Sequence, residues 1–138
     1  MVSLQADVLL PGPAASATAL ALTAPISFWG GVDPKSGRVA DPRHPESGQL
    51  IAGKILFVPE TVGSSSAAAI LLELVHAGLA PAAVVLHEPD AILLLGLIVA
   101  REMSLPTPIA LRLDRAHFAA LNGIALHVSD TGLICNGD

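Results

Sequence analysis

Tyrosine is absent from this sequence, and aromatic residues make up only 3% of it, as one Trp and three Phe. Any core must therefore be packed from Ala, Val, Leu and Ile. There is a single cysteine, Cys135. That excludes an intrachain disulfide, and it excludes an iron–sulfur cluster held by this chain alone. Basic residues are scarce, 7 Lys and Arg against 12 Asp and Glu, for a net charge of −5. No basic run exists, so a surface that tracks nucleic-acid phosphates is not expected. The longest apolar stretch, "AILLLGLIVA" at 91–100, is about half of the ~20 residues that a membrane-spanning helix needs. The N-terminal "MVSLQADVLLPGP" has no basic region and carries Asp7 within its apolar part, so it does not read as a signal peptide. These absences together point to a cytoplasmic protein with neither nucleic acid nor membrane as partner.

What is abundant is aliphatic. Hydrophobic residues reach 52% and charged residues only 14% of 138. That length suits one domain, 1–138, with one core. A chain this apolar can also hide surface against a partner. "SLQADVLL" (3–10) and "ATALALTAP" (17–25) alternate loosely around "PGPAAS" and read as two strands joined by a turn. The segment 25–53 is dense in Gly and Pro and holds the only Trp; long ordered loops of this kind usually carry function. "KILFV" (54–58), "AAVVLHE" (82–88) and "TPIALRL" (107–113) read as short buried strands. Between them, Ile70, Leu71, Leu74 and Val75 mark one helix face, with Gly78 as C-cap. Pro89 and Asp90 open a second helix that runs to about Glu102. "DRAHFAALNG" (114–123) reads as a short helical turn, and a closing hairpin follows with Thr131 and Gly132 at its turn. The rhythm strand–helix–strand–helix–strand implies an α/β fold with a small parallel sheet and right-handed crossovers. The terminal strands imply a second, antiparallel or mixed sheet.

The candidate site centres on "VGSSS". Gly63, Ser64, Ser65 and Ser66 follow a buried strand and begin a helix, at the carboxyl end of the strands where α/β sheets bind ligands. The N–H groups of a helix start favour an anion there, and Gly63 lets a ligand come close to the backbone. One serine acting as a helix cap would explain the same pattern. No glycine–lysine pair follows, which disfavours nucleotide binding. No glycine stands two residues after a serine, which disfavours a nucleophile elbow. Asp33 in "GGVDP" and Asp41 with His44 in "ADPRHP" either contact substrate or stabilise turns. Asp41 and His44 are too few for a metal site, and none is assigned. His87 and Glu88 end the second strand of the crossover unit, while His76, His117 and His127 sit singly on apolar patterns as structural histidines.

"SFWGGVDP", "DPRHP", "VGSSSAAAILLEL" and "EPDAIL" together resemble the small subunit of aconitase X, over 24 to about 110. The resemblance implies a swivelling three-layer β/β/α domain. It also implies a large catalytic subunit as partner, which holds the iron–sulfur cluster, so that this chain itself carries no cofactor. By the same resemblance Ser64 is the catalytic serine, with Ser65 beside it, and the reaction is the dehydration of a small hydroxy acid. Gly63, Ser65, Ser66, Asp33 and His44 are the residues expected to bind that substrate. Members act on cis-3-hydroxy-L-proline or on mevalonate 5-phosphate. The family commonly shows Gly-Arg-Gly-Ser at the turn, whereas this chain has Val62 before Gly63. An arginine there is a natural partner for phosphate, so its absence favours an unphosphorylated substrate. A non-catalytic module that holds a small carboxylate is the reading from a different class. Trp29 and Phe28, on the Gly-rich loop, are expected at or near the subunit contact or cleft.

Overall fold

The computed structural model describes residues 1–63 and 65–136. Among these residues ten strands form: β1 (Ser3–Gln5), β2 (Asp7–Leu10), β3 (Ala15–Ala21), β4 (Val32–Asp33), β5 (Arg38–Val39), β6 (Ile55–Val58), β7 (Ala83–Leu86), β8 (Ile109–Arg112), β9 (Ala125–Val128) and β10 (Leu133–Asn136). The helices are α1 (Phe28–Gly31), a turn kinked at Trp29 and Gly30, then α2 (Ala67–Ala77), α3 (Ala91–Glu102) and α4 (Phe118–Leu121), the last preceded by one 3₁₀ turn at Arg115–His117. Eight strands make one sheet in the order β1-β10-β9-β3-β6-β7-β8-β2, and β4 pairs only with β5.

The sheet has two halves that share β3. From β3 through β6 and β7 to β8 every pairing is parallel. From β3 through β9 and β10 to β1 every pairing is antiparallel. The second sheet expected from the sequence is thus continuous with the first. The segment 3–10 is not one strand of a hairpin with 15–21. It breaks at buried Ala6, whose N–H donates to the Gly132 carbonyl at 2.9 Å. Its first piece pairs with β10 and its second with β8, at opposite ends of the strand order. One short segment therefore joins both margins, and the sheet folds back on itself without a long open edge.

Each parallel strand feeds two cores because successive side chains point to opposite faces. Ile55 and Phe57, Ala83 and Val85, and Ile109 and Leu111 pack against Leu126, Val128 and Ile134 of the antiparallel half. Leu56, Val58, Val84, Leu86 and Ala110 pack against Ile70, Leu71 and Leu74 of α2 and Leu93 and Leu97 of α3. Antiparallel half, parallel half and helices make the three layers. The aromatic poverty shows in the core: among the described residues one ring pair, Phe57 with Phe118 at 5.2 Å, stands among aliphatics. Capping follows the sequence closely. Gly78 ends α2 at φ 74°, and the Asp90 side chain accepts from the N–H groups of Ile92 and Leu93 at the start of α3.

Candidate functional site

The parallel strands β6 and β7 both run into helices, so the starts of α2 and α3 lie at one edge of the sheet. The chain leaving β6 is tied there on two sides. On one side it continues beside the chain leaving β3: Ile26 N–H donates to the Glu60 carbonyl at 3.1 Å, and Val62 N–H donates to the Ile26 carbonyl at 2.9 Å. On the other, Thr61 Oγ1 donates to Asp90 Oδ2 at 2.7 Å. Asp90 uses its second oxygen for the α3 cap, at 3.0 and 3.1 Å. The residues just before the serines are therefore held between the 25–27 segment and the first turn of α3. Asp90 is legible in the sequence as a cap, but its bond to Thr61 is not.

Ser64 lies outside the described residues. Gly63 is exposed, and a Cβ built on it meets nothing within 4 Å. The fold itself makes no steric demand for glycine at this position. Ser65 is exposed. Ser66 stands at the N-cap of α2 with no side-chain cap hydrogen bond, in contrast to Asp90 on α3.

The 25–53 segment is a stapled wall. His44 and Glu46 are its buried polar side chains, 7% and 8% exposed. Glu46 accepts from the Thr23 N–H at 2.6 Å and from the Thr23 hydroxyl at 2.8 Å. His44 Nδ1 accepts from the Glu46 N–H at 3.0 Å, and Nε2 faces the Ala24 carbonyl at 3.2 Å. With Nδ1 accepting, Nε2 carries the proton and donates. Both ring nitrogens of His44 are thus engaged within the wall. Glu46, which sequence reasoning passed over, is its anchor; its signal was only its place two residues after His44.

Asp33 and Asp41 each close a turn. Asp33 accepts from the Lys35 N–H at 2.9 Å and the Ser36 hydroxyl at 3.0 Å. Asp41 accepts from the Arg43 N–H at 2.9 Å. The backbone N–H of Lys35, then the Ser36 hydroxyl, hold the Asp33 carboxyl below its ordinary value, and the Arg43 N–H does the same for Asp41. Of the pair expected at or near the subunit contact or cleft, Phe28 is a core residue, 1% exposed, and the kink at Trp29 and Gly30 brings the Trp29 side chain to the surface, at 58%. Trp29, Gly30, Asp41 and Arg43 line an open recess of about 480 Å³. His87 ties the end of β7 to the 3₁₀ turn: its Nδ1 accepts from the Arg115 N–H at 3.0 Å and its carbonyl accepts from Arg112 Nε at 2.9 Å.

The Asp41 turn and the lone Trp share that recess, which gives a readout. An aspartate with a lowered folded pKa contributes stability above its unfolded value and loses it as pH falls through the folded one. The part of Trp29 emission that depends on Asp41, read as the difference between the wild type and Asp41→Asn, is therefore expected to change only below the ordinary aspartate value of 3.8. A difference centred above that value would contradict the assignment.

Among the described residues no three His, Cys, Asp or Glu side chains gather to hold a metal ion. Cys135 stands on β10, opposite Ser3 and His127 in the antiparallel half. The donors of this chain therefore do not fit a cysteine-held cluster. Among the described residues no helix is long and apolar enough to cross a membrane.

The family model of the aconitase X swivel domain matches residues 3–134. The chain is 51% identical over 92 residues to cis-3-hydroxy-L-proline dehydratase of Pseudomonas aeruginosa, which is 65% of this chain and 16% of that protein. It is 40% identical over 74 residues to the phosphomevalonate dehydratase small subunit of Methanopyrus kandleri, 54% of this chain and 55% of that one. The chain thus spans under two thirds of the length of each of these relatives. The crystal structure of Thermococcus kodakaraensis aconitase X in its holo form superimposes with a TM-score of 0.85 at 26% identity, over 100% of both chains.

Proposed function

The chain belongs to the aconitase X swivel-domain family, and from that premise we propose that it is the small subunit of a hydro-lyase that dehydrates cis-3-hydroxy-L-proline or a closely related hydroxy acid. The observation that carries the substrate is its 51% identity to a cis-3-hydroxy-L-proline dehydratase. Val62, exposed at the turn where a phosphate-binding arginine would be placed, argues in the same direction. The runner-up is mevalonate 5-phosphate, favoured by the likeness to archaeal small subunits.

In this reading Ser64, in its deprotonated form, takes the proton next to the substrate carboxylate. The electrons of that C–H bond form the new double bond, and the hydroxide leaves towards the partner's side of the cleft, where a Lewis-acid iron held by the large subunit would accept it. The carboxylate is received by Ser65, Ser66 and the first-turn N–H groups of α2, where the helix dipole favours negative charge. The open space around Gly63 admits the ligand to the backbone. Asp33 and His44 act through the wall they stiffen. In this reading the large subunit holds the iron–sulfur cluster, for which the single cysteine of this chain would not suffice.

The test is an assay of the chain co-expressed with its large subunit, against a panel of hydroxyprolines and mevalonate 5-phosphate. The expected result is dehydration of cis-3-hydroxy-L-proline by the pair and none by the small chain alone. Turnover of mevalonate 5-phosphate alone would move the assignment to the runner-up. Turnover by the isolated chain would overturn the subunit reading. Tight carboxylate binding by the isolated chain, with no turnover by the pair, would mark a binding module instead.

A further inference from the structure

Helix α3 shows an outer face without a polar side chain until its last turn. Leu93, Gly96, Leu97 and Ala100 point inward and are buried. Ile92, Leu95, Ile98 and Val99 are 43%, 50%, 42% and 37% exposed, and Met103, just past the helix, is 54% exposed. These five make up half of the ten exposed large hydrophobics among the described residues. Single exposed apolar side chains are ordinary, but a contiguous stripe is not. A helix that meets water normally has a polar outer face, and one that is apolar all round is a buried helix.

We propose that this stripe docks against the large catalytic subunit, an inference that rests on the function proposed above. Three observations select that occupant. First, α3 starts at the candidate site. Asp90 caps it and receives Thr61, next to exposed Val62, so a partner closing over the serine turn meets Ile92 at once. Second, the stripe is too small to hold a second copy by itself. A helix of 12 residues is ~18 Å long and ~10 Å across, a face of a few hundred Å² at most, against roughly 800 Å² per partner in a stable interface. A large partner that continues from α3 across the Thr61–Asp90 contact to exposed Val62 adds area that the stripe alone lacks. Third, the matched region is 16% of the Pseudomonas aeruginosa dehydratase, and the Methanopyrus kandleri match is a separate small subunit. The same domain thus serves inside a much longer chain and as a chain of its own, as expected of one whose outer face packs on the rest of the enzyme.

The test titrates purified large subunit with the wild-type chain and with Leu95→Glu/Ile98→Glu. Both positions are solvent-facing, and circular dichroism checks that the variant folds. The expected result is an assembly constant weakened at least ~100-fold by two charges in a desolvated contact. At saturating variant the full kcat returns, because the serine turn is untouched. Ser64→Ala is expected to behave in the opposite way, with normal assembly and lost turnover, which separates failure of the docking surface from failure of the catalytic assignment. Unchanged assembly of the Leu95→Glu/Ile98→Glu variant would overturn the proposal. So would a wild-type chain that sediments as a dimer dissolved by the two charges while its affinity for the large subunit is unaltered. As a second route, Leu95→Cys in a Cys135→Ser background carrying a benzophenone is expected to crosslink to the large subunit. Crosslinking only to another copy of this chain would overturn it as well.

Discussion

Replacing Ser64 by alanine is expected to lower turnover of the assembled enzyme by at least ~10²-fold, with folding and assembly intact, since a positioned general base contributes typically ~10²–10⁴-fold. The contrast with a helix cap makes the result decisive. A lost cap costs ~0.5–2 kcal/mol of stability and has no necessary effect on rate. The N-cap position of α2 is held by Ser66. A hydroxyl is a poor base in water, so its deprotonated form needs nearby positive potential, and the start of α2 is the source this chain can offer. Normal turnover with a melting point a few degrees lower would make Ser64 a structural residue and place the chemistry elsewhere.

Gly96→Val is expected to destabilise the chain by ~1–3 kcal/mol, the usual cost of overpacking, and also to damage the site. Gly96 lies where α3 crosses α2. A Cβ built on it falls 2.5 Å from the Ala68 carbonyl oxygen and 3.2 Å from the Ala68 Cα, contacts with backbone that a rotamer change cannot relieve. Ala68 is in the first turn of α2, so the helices must part at the end that carries the serines. A displacement of about 1 Å at a positioned group can cost ~10²-fold in rate. Thermal melts and single-turnover rates of the assembled enzyme measure the two effects. Gly63→Ala is the control for stability, since its Cβ meets open space and the melting point should not move. A Gly96→Val protein as stable as wild type would show that the helix crossing yields more easily than these distances allow.

Much of this architecture was legible in the residues themselves. "KILFV", "AAVVLHE" and "TPIALRL" are apolar on both faces, as strands between two layers must be, and they became β6, β7 and β8 with only their ends trimmed. Gly78, Asp90 and the Thr131-Gly132 turn were readable because caps and turns depend on the local backbone alone. The serine turn could be assigned to the strand-to-helix edge for the same reason.

Tertiary structure decided what depends on residues distant in the chain. The segment 3–10 alternates like one strand, but its pieces answer to β10 and β8, and only closure of the sheet requires the break at Ala6. The 25–53 segment reads as a loop rich in Gly and Pro, but Thr23, His44 and Glu46 staple it into a wall through bonds that span about twenty residues. Phe28 and Trp29 look alike in the sequence, and a kink between adjacent backbone angles buries one and exposes the other. The run "AILLLGLIVA" determined by composition alone that α3 would be apolar on every side. That its outer face points away from this domain follows only from how the helix sits on α2 and the sheet, because hydropathy specifies that a face must be covered and packing determines by what.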